Sequence, residues 1–353
     1  MSRPSLTIHN QVLVNDLVEF AEKFPFLSEM RGKSVLVTGA TGLIGSLLVY
    51  ALSMLNHLFD ARISIYALAR NKEKAFLKFG NLPVIWIFQD INNPLNLNDD
   101  VDYIFHCAAI TESRLMVENP VEVLSSLITG TGNILDWARR NPVKSMVYLS
   151  SIETYGSFNK DFPVMEGDAG FIDPLNPRSS YSLGKKTAEC LCNSYFKEYE
   201  VPVKIARLTQ TFGAGVDKTD NRVFAQFARS AVKGEDIVLH TTGEAAKPYC
   251  HTTDALRALF YILLTGDNGE AYNVANPHTF ISVKDMAEMV AELESGLKVV
   301  FDLKNDRGYA PPSITRLDVK KLTTLGWSPT IGLKDMFRSL IEYLKEEDAG
   351  TLH

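Results

Sequence analysis

The sequence predicts a doubly wound α/β fold, a parallel sheet wrapped by helices, followed by a smaller C-terminal α+β part. Three observations carry this. Six short apolar runs recur between Ser34 and Leu208 with helical stretches between most of them, the rhythm of strand–crossover–strand units. The first run passes straight into a glycine-rich turn and a helix, "SVLVTGATGLIGSLLV". After about Phe212 the rhythm breaks into short, irregularly spaced elements.

In chain order, "QVLVNDLVEFAEKF" (11–24) places Leu13, Leu17, Phe20 and Phe24 at helical spacing. It is expected to pack on the main domain, and residues 1–31 form an N-terminal helical extension. Strands are expected at 34–38, 63–68, 84–88, 102–107, 145–150 and 203–208. They read as continuous apolar runs, as strands buried on both faces do. The main domain covers 32–212. Residues 213–347 are expected to be mainly the substrate-binding part, with helix "RVFAQFARSAV", strands "DIVLH" and "AYNVAN", helix "SVKDMAEMVAELE" and strand "KVVFD". The end, "KEEDAGTLH", is expected to fray, with 348–353 a tail.

Composition excludes several function classes. A formal charge of -6 without basic runs argues against nucleic acid. The four cysteines form no CxxC pair and the seven histidines no HxxxH or HExxH spacing, so no metal site is expected. "MSRPSLTIHN" is polar, unlike a secretory leader. The longest apolar run, "LLVYALSMLNHLF", is interrupted and too short to span a bilayer. No membrane contact is expected, and a reduced cytoplasm fits.

The turn carries Gly39, Gly42 and Gly45, with Thr41, Leu43 and Ile44 between and beside them. Glycine permits positive φ and close approach of a pyrophosphate to the backbone, which then meets the free amides of the helix start. The GxxGxxG spacing resembles the short-chain dehydrogenase/reductase superfamily and implies NAD as cofactor. The second strand ends in "ALARN": Arg70 stands where NAD enzymes carry an acid, with no acid near it, so NADP remains open. The resemblance further implies that Asp90 and Ile91 of "QDI" contact adenine, and that Ala108 and Ala109 of "HCAAIT" line the cofactor.

The chemical end lies after the fifth strand, in "LSSIETYG" and "PRSSYSLGKKTAECLC". Tyr181 and Lys185 are four apart on a helix beginning near Ser179 and Ser180, and so share a face. Of thirteen tyrosines only this one has lysine four residues on. A tyrosine acting as base near neutrality needs its pKa lowered by about three units, ~4 kcal/mol. A lysine charge at about 4 Å contributes on that order at an effective dielectric near 20. Tyr181 as base, Lys185 as its tuner and Ser151 as hydroxyl donor form a proton-transfer set.

These residues resemble the extended members of that superfamily, the nucleotide-sugar epimerases, dehydratases and decarboxylases. The resemblance covers about residues 32–347, including the closing "RLDVKKLTTLGWSPTIGLKDMFRSLIEYL". It implies oxidation at sugar C4 and a nucleotide-sugar substrate, by default UDP-linked. Glu153 matches the glutamate of the UDP-glucuronate decarboxylases, whereas Ile152 replaces an acid that the 4,6-dehydratases carry. Its carboxylate is either catalytic or bonded to local backbone. "TDNRVFAQF" is similar to a decarboxylase segment, with Asn221 and Arg222 the nearest diphosphate contacts; Lys247 stands where relatives have arginine. Gln210, in "ARLTQTFGAG", replaces a usual asparagine, and Thr111 and Ser150 complete the implied substrate contacts. A decarboxylase-like and a 4-epimerase-like reaction are favoured equally. The alternatives are a dehydratase, an NADPH-dependent 4-keto-sugar reductase and a non-catalytic dinucleotide-binding regulator. The resemblance also implies a homodimer through a four-helix interface, with Leu124, Leu127, Leu191 and Tyr195 among the apolar positions available.

Overall fold

Successive residues of a strand point to opposite faces of its sheet. Strand β1 (Ser34–Thr38) shows the consequence: Val35 and Val37 enter one hydrophobic cluster and Leu36 another. The computed structural model describes residues 8–158, 161–294, 296–303 and 313–350. Strands β2 (Ser64–Ala69), β3 (Ile85–Phe88), β4 (Tyr103–His106), β5 (Ser145–Ser151), β6 (Val203–Leu208) and β7 (Ala271–Val274) join β1 in one sheet. Their order is β7–β6–β5–β4–β1–β2–β3, and every neighbouring pair is parallel. The first six coincide with the expected strands to within one or two residues.

Helices α2 (Leu43–Phe59), α3 (Pro120–Arg140), α4 (Ser180–Tyr199) and α6 (Thr252–Thr265) flank the sheet, and α1 (Gln11–Glu22), α5 (Val223–Lys233) and α7 (Leu333–Gly350) pack on these helices or on one another. Residues of α1, α2, α5, α6 and α7 share the first cluster, and those of α3 and α4 the second. Beyond β6 the chain forms a three-stranded sheet from 210–212, 246–251 and 276–282. Two separate two-stranded sheets pair 237–239 with 299–301 and 163–164 with 316–317.

Two expectations are corrected. "AYNVAN" does not belong to the smaller part: Ala271–Val274 is β7, paired with β6 at the sheet edge. Helix α6 is the crossover that returns the chain there. Eleven of its fourteen residues are buried, so it lacks the one-sided apolar pattern that marks a surface helix. The expected frayed end is instead helical to Gly350, where Lys345 Nζ bonds Glu294 Oε1 at 2.8 Å. Residues 351–353, like 1–7 of the N-terminal extension, lie outside the described residues.

Helix α1 lies on the main body as expected. Phe20 is fully buried, its ring centroid 5.4 Å from Phe24 and 5.9 Å from Phe260 of α6. Phe20→Ala is expected to lower unfolding stability by about 3–5 kcal/mol. Urea denaturation checks this, and a loss below about 1 kcal/mol would show that α1 is not part of the core.

Candidate active site

In a parallel sheet of this order a crevice opens beyond the strand ends where the connections diverge, here between β1 and β4. The turn after β1 meets the end of β4 closely. Gly39 has φ +63°, and a Cβ on it would lie 2.8 Å from the Ala108 N and Cα atoms. A Cβ on Gly45 would collide with the Gly39 carbonyl oxygen. Thr38 Oγ1 accepts from Ala108 N at 3.1 Å and lies 2.7 Å from His106 Nδ1. Burial pushes the His106 pKa down to about 3, so this contact stays neutral.

The crevice measures about 580 Å³, within the range of small-molecule sites. Gly39, Thr41, Gly42, Leu43, Ile44 and Gly45 line one end with the start of α2. Arg70, Asp90, Ile91, Ala108 and Ala109 flank them. Free amides at a helix start, approached by a backbone bare of Cβ atoms, fit a dinucleotide pyrophosphate. Arg70 does have an acid beside it: the parallel sheet sets the end of β3 next to that of β2, and Asp90 Oδ2 lies 3.8 Å from Arg70 Nη1. Twenty residues of sequence hide that proximity.

Ser151, Tyr181 and Lys185 line the same crevice. The helix carrying the last two is entered through the turn Pro177–Ser179, where the Asn176 side chain accepts from Arg178 N at 3.0 Å. Tyr181 and Lys185 are both buried. Lys185 Nζ donates to Leu149 O and lies 4.7 Å from the Tyr148 ring centroid and 5.9 Å from that of Tyr181. Burial pulls the Lys185 pKa down to about 8, with nearby Glu189 among the groups opposing it. The Tyr181 phenol is pushed up, by burial first and by Glu153 second, against a hydrogen bond with Ser151 and the charges of Arg178 and Arg222. The expected lowering by Lys185 is therefore not seen in this arrangement. Burial outweighs it, and the ammonium is aimed at a backbone carbonyl.

Glu153 sits in the 3₁₀ turn Ile152–Tyr155. Its carboxylate accepts from Arg178 Nη1 at 3.2 Å and Nη2 at 3.4 Å, and from Ser182 Oγ at 3.2 Å. Those partners belong to the α4 segment, so the alternative of a carboxylate bonded to local backbone falls. Sequence reasoning passed over Arg178, which also lines the crevice. One signal was available: a cation three residues before Tyr181, at a helix start where the dipole disfavours positive charge.

The implied substrate contacts divide. Thr111, Gln210, Arg222 and Lys247 line the crevice. Gln210 Oε1 is buried without a hydrogen-bond partner. Arg222 precedes α5 and is clamped by Asp220, Nε to Oδ1 at 3.1 Å and to Oδ2 at 3.0 Å. Lys247 lies on strand Ala246–His251; burial lowers its pKa and Glu153 opposes the shift. Ser150 is corrected: although it borders the crevice, its hydroxyl donates to buried Glu189, because strand alternation turns it the opposite way from Ser151.

Among the described residues no group of three or more His, Cys, Asp or Glu could hold a metal ion, and no helix is long and apolar enough to cross a membrane.

Comparison with known proteins agrees with this geometry. UDP-glucuronic acid decarboxylase 6 of Arabidopsis thaliana is 30% identical over 313 residues, 88% of this chain and 87% of that protein. UDP-glucuronic acid decarboxylase 1 of Danio rerio is 27% identical over 336 residues, 94% of this chain and 78% of that protein. The solved UDP-glucose 4-epimerase of Thermotoga maritima has the same fold, with a TM-score of 0.76 at 22% identity, covering 91% of this chain and 100% of its own. The sequence matches the NAD dependent epimerase/dehydratase family over residues 35–275, the span from the glycine turn through the Tyr181–Lys185 helix to the last sheet strand. The chain belongs to that family.

Proposed function

We propose that this enzyme oxidises a nucleotide-linked uronic acid at sugar C4 and then releases its carboxylate as CO2, a net redox-neutral decarboxylation. One observation carries the reading: Ser151, Tyr181 and Lys185 share a crevice with the glycine turn, and Arg178, Arg222 and Lys247 gather beside them. In a protein of formal charge -6, Lys247, Arg178 and Arg222 put three cationic groups on the lining of one cleft, although the two arginines also hold carboxylates, Glu153 and Asp220 respectively. Such a lining suits an anionic sugar diphosphate carrying a further carboxylate.

The residues at the glycine end fit NAD and would hold it: the turn from Gly39 to Gly45 for the pyrophosphate, Asp90 and Ile91 for the adenine, and Ala108 and Ala109 along its length. Arg70, drawn to Asp90, is less free to favour an extra phosphate. When bound, the dinucleotide supplies a hydride acceptor that returns the hydride at the end of the cycle. The chain's own groups manage protons and charge. Tyr181 Oη takes the proton of the C4 hydroxyl while Ser151 Oγ hydrogen-bonds that oxygen, and Lys185 steadies the phenolate. A ketone at C4 makes the uronate a β-keto acid, whose C5–C6 bond breaks as electrons move into the C4 carbonyl. Cations near the sugar stabilise the enolate, and a proton then replaces CO2 at C5. Glu153, held by Arg178 and Ser182, is the group placed to handle that proton.

Incubation of the purified protein with a panel of nucleotide sugars tests this, with CO2 and a nucleotide-linked pentose expected from UDP-glucuronate. An epimer mixture without CO2 would favour the 4-epimerase alternative, which needs only Ser151, Tyr181 and Lys185. Stoichiometric NADPH consumption would favour the reductase, and loss of water the dehydratase. No turnover of any nucleotide sugar defeats the reading. Glu153→Gln is expected to slow CO2 release by about 10²-fold with NAD still bound. A wild-type rate would remove Glu153 from the mechanism.

The smaller C-terminal part is assigned to substrate binding, and UDP is the nucleotide proposed. Four free thiols suit a reducing compartment such as the cytoplasm. Helices α3 and α4 pack side by side. Leu127 is fully buried between them within one chain and so is corrected as a dimer contact, whereas Leu124, Leu191 and Tyr195 keep part of their surface exposed. Pairing this face with its copy would give the four-helix dimer, for which sedimentation should report twice the chain mass.

A further inference from the structure

We propose that Glu189 and Arg207 act as a buried positioning pair that sets the end of β5, and with it Ser151, against the Tyr181–Lys185 face of α4. This deepens the function proposed above and rests on it for the reaction. Glu189 stands four residues after Lys185 on α4, on the same helix face. Its side chain is 7% exposed and that of Arg207, on β6, 14%. Arg207 Nε reaches both carboxylate oxygens, at 2.9 and 3.1 Å, and Nη2 reaches Oε2 at 2.6 Å. The same carboxylate accepts from Ser150 Oγ. Ser150 and Arg207 are register partners across β5 and β6. One side chain of α4 therefore grips two neighbouring strands, one residue before Ser151.

The grip continues outward. Arg207 Nη1 donates to Glu166 O at 2.8 Å, and its guanidinium lies 4.8 Å from the Tyr155 ring centroid. Tyr155 Oη donates to Asn273 Oδ1 at 2.6 Å. Asn273 N donates to Glu166 Oε1 at 2.8 Å, and its Nδ2 donates to Val164 O at 3.1 Å and Asp318 O at 2.9 Å. A connected set of bonds thus joins the catalytic helix to segments 163–166 and 316–318. Buried ion pairs contribute little stability compared with apolar residues of similar size, so stability alone does not account for this one. Its directional bonds do fix the relative register of the helix and strand ends.

The test is Glu189→Gln in the full chain, beside the milder Ser150→Ala, which removes only the hydroxyl link. Rates with the nucleotide sugar across pH are measured together with amide hydrogen exchange. In Glu189→Gln we expect kcat to fall about 10²-fold, as misplacement of reacting groups does, with KM changed less than about threefold. Its alkaline limb should move to lower pH, because Glu189 helps keep Lys185 charged. Ser150→Ala should move in the same direction by about tenfold. Exchange should quicken in 145–151 and 163–166 and stay unchanged in α1. Wild-type kcat and an unmoved limb in the folded variants overturn the proposal, as does a rate loss equal at every pH to the unfolded fraction. Should the wild type turn over no nucleotide sugar, the reaction assignment fails by itself. Exchange then decides the pair, and unchanged protection in both segments overturns it.

Discussion

Tyr181→Phe is expected to reduce nucleotide-sugar turnover by about 10²–10⁴-fold, the usual contribution of a positioned acid–base group, while NAD binding persists. Phenylalanine keeps the ring that packs with Met116, Val123 and Leu127 and deletes only the ionisable oxygen. The wild-type phenol is pushed up by burial and by Glu153, so it must be drawn down within the loaded site before it can act as a base. Lys185 sets the other limit. With its pKa near 8, it loses its charge as pH rises through about 8, and kcat/KM should fall there because the positive charge supporting a phenolate is lost. Steady-state rates from pH 6 to 10 on both proteins check this. A Tyr181→Phe variant within about threefold of wild type would leave the proposed base without a role.

Gly39→Val is expected to abolish useful cofactor binding. The backbone φ of +63° and the Ala108 N and Cα atoms 2.8 Å from a Cβ position leave no room for a branched side chain. A non-glycine residue held at positive φ costs about 1–3 kcal/mol before any clash with Ala108 is counted, and a turn that relaxes out of the binding shape to escape that cost gives up roughly 5- to 150-fold in affinity. NADH fluorescence titration, with a thermal melt to verify folding, measures the effect. Wild-type affinity would mean that the dinucleotide does not pass over this turn.

Much of this was legible in one dimension because it depends on neighbours in the chain. The strand–glycine–helix turn spans sixteen residues written consecutively, and Tyr181 and Lys185 share a face because helical geometry alone places residues four apart together. The six main strands could be located because each is a local apolar run. Arg178 could have been noticed by its unfavourable place at a helix start. The seventh strand could not be assigned to its sheet, because an apolar run does not state which edge it will pair with.

Pattern in the chain thus settles the fold class and the glycine turn, and singles out the residues of the proposed acid–base set. Packing settles the electrostatics. Arg70 meets Asp90 only where two parallel strands end side by side. Glu153 acquires Arg178 only because the turn after β5 abuts the entry to α4. Tyr181 and Lys185 take their proton affinities from burial rather than from each other. The physical reason is range: periodicity acts over a few residues, whereas desolvation and Coulomb forces act through space on groups that only folding brings together.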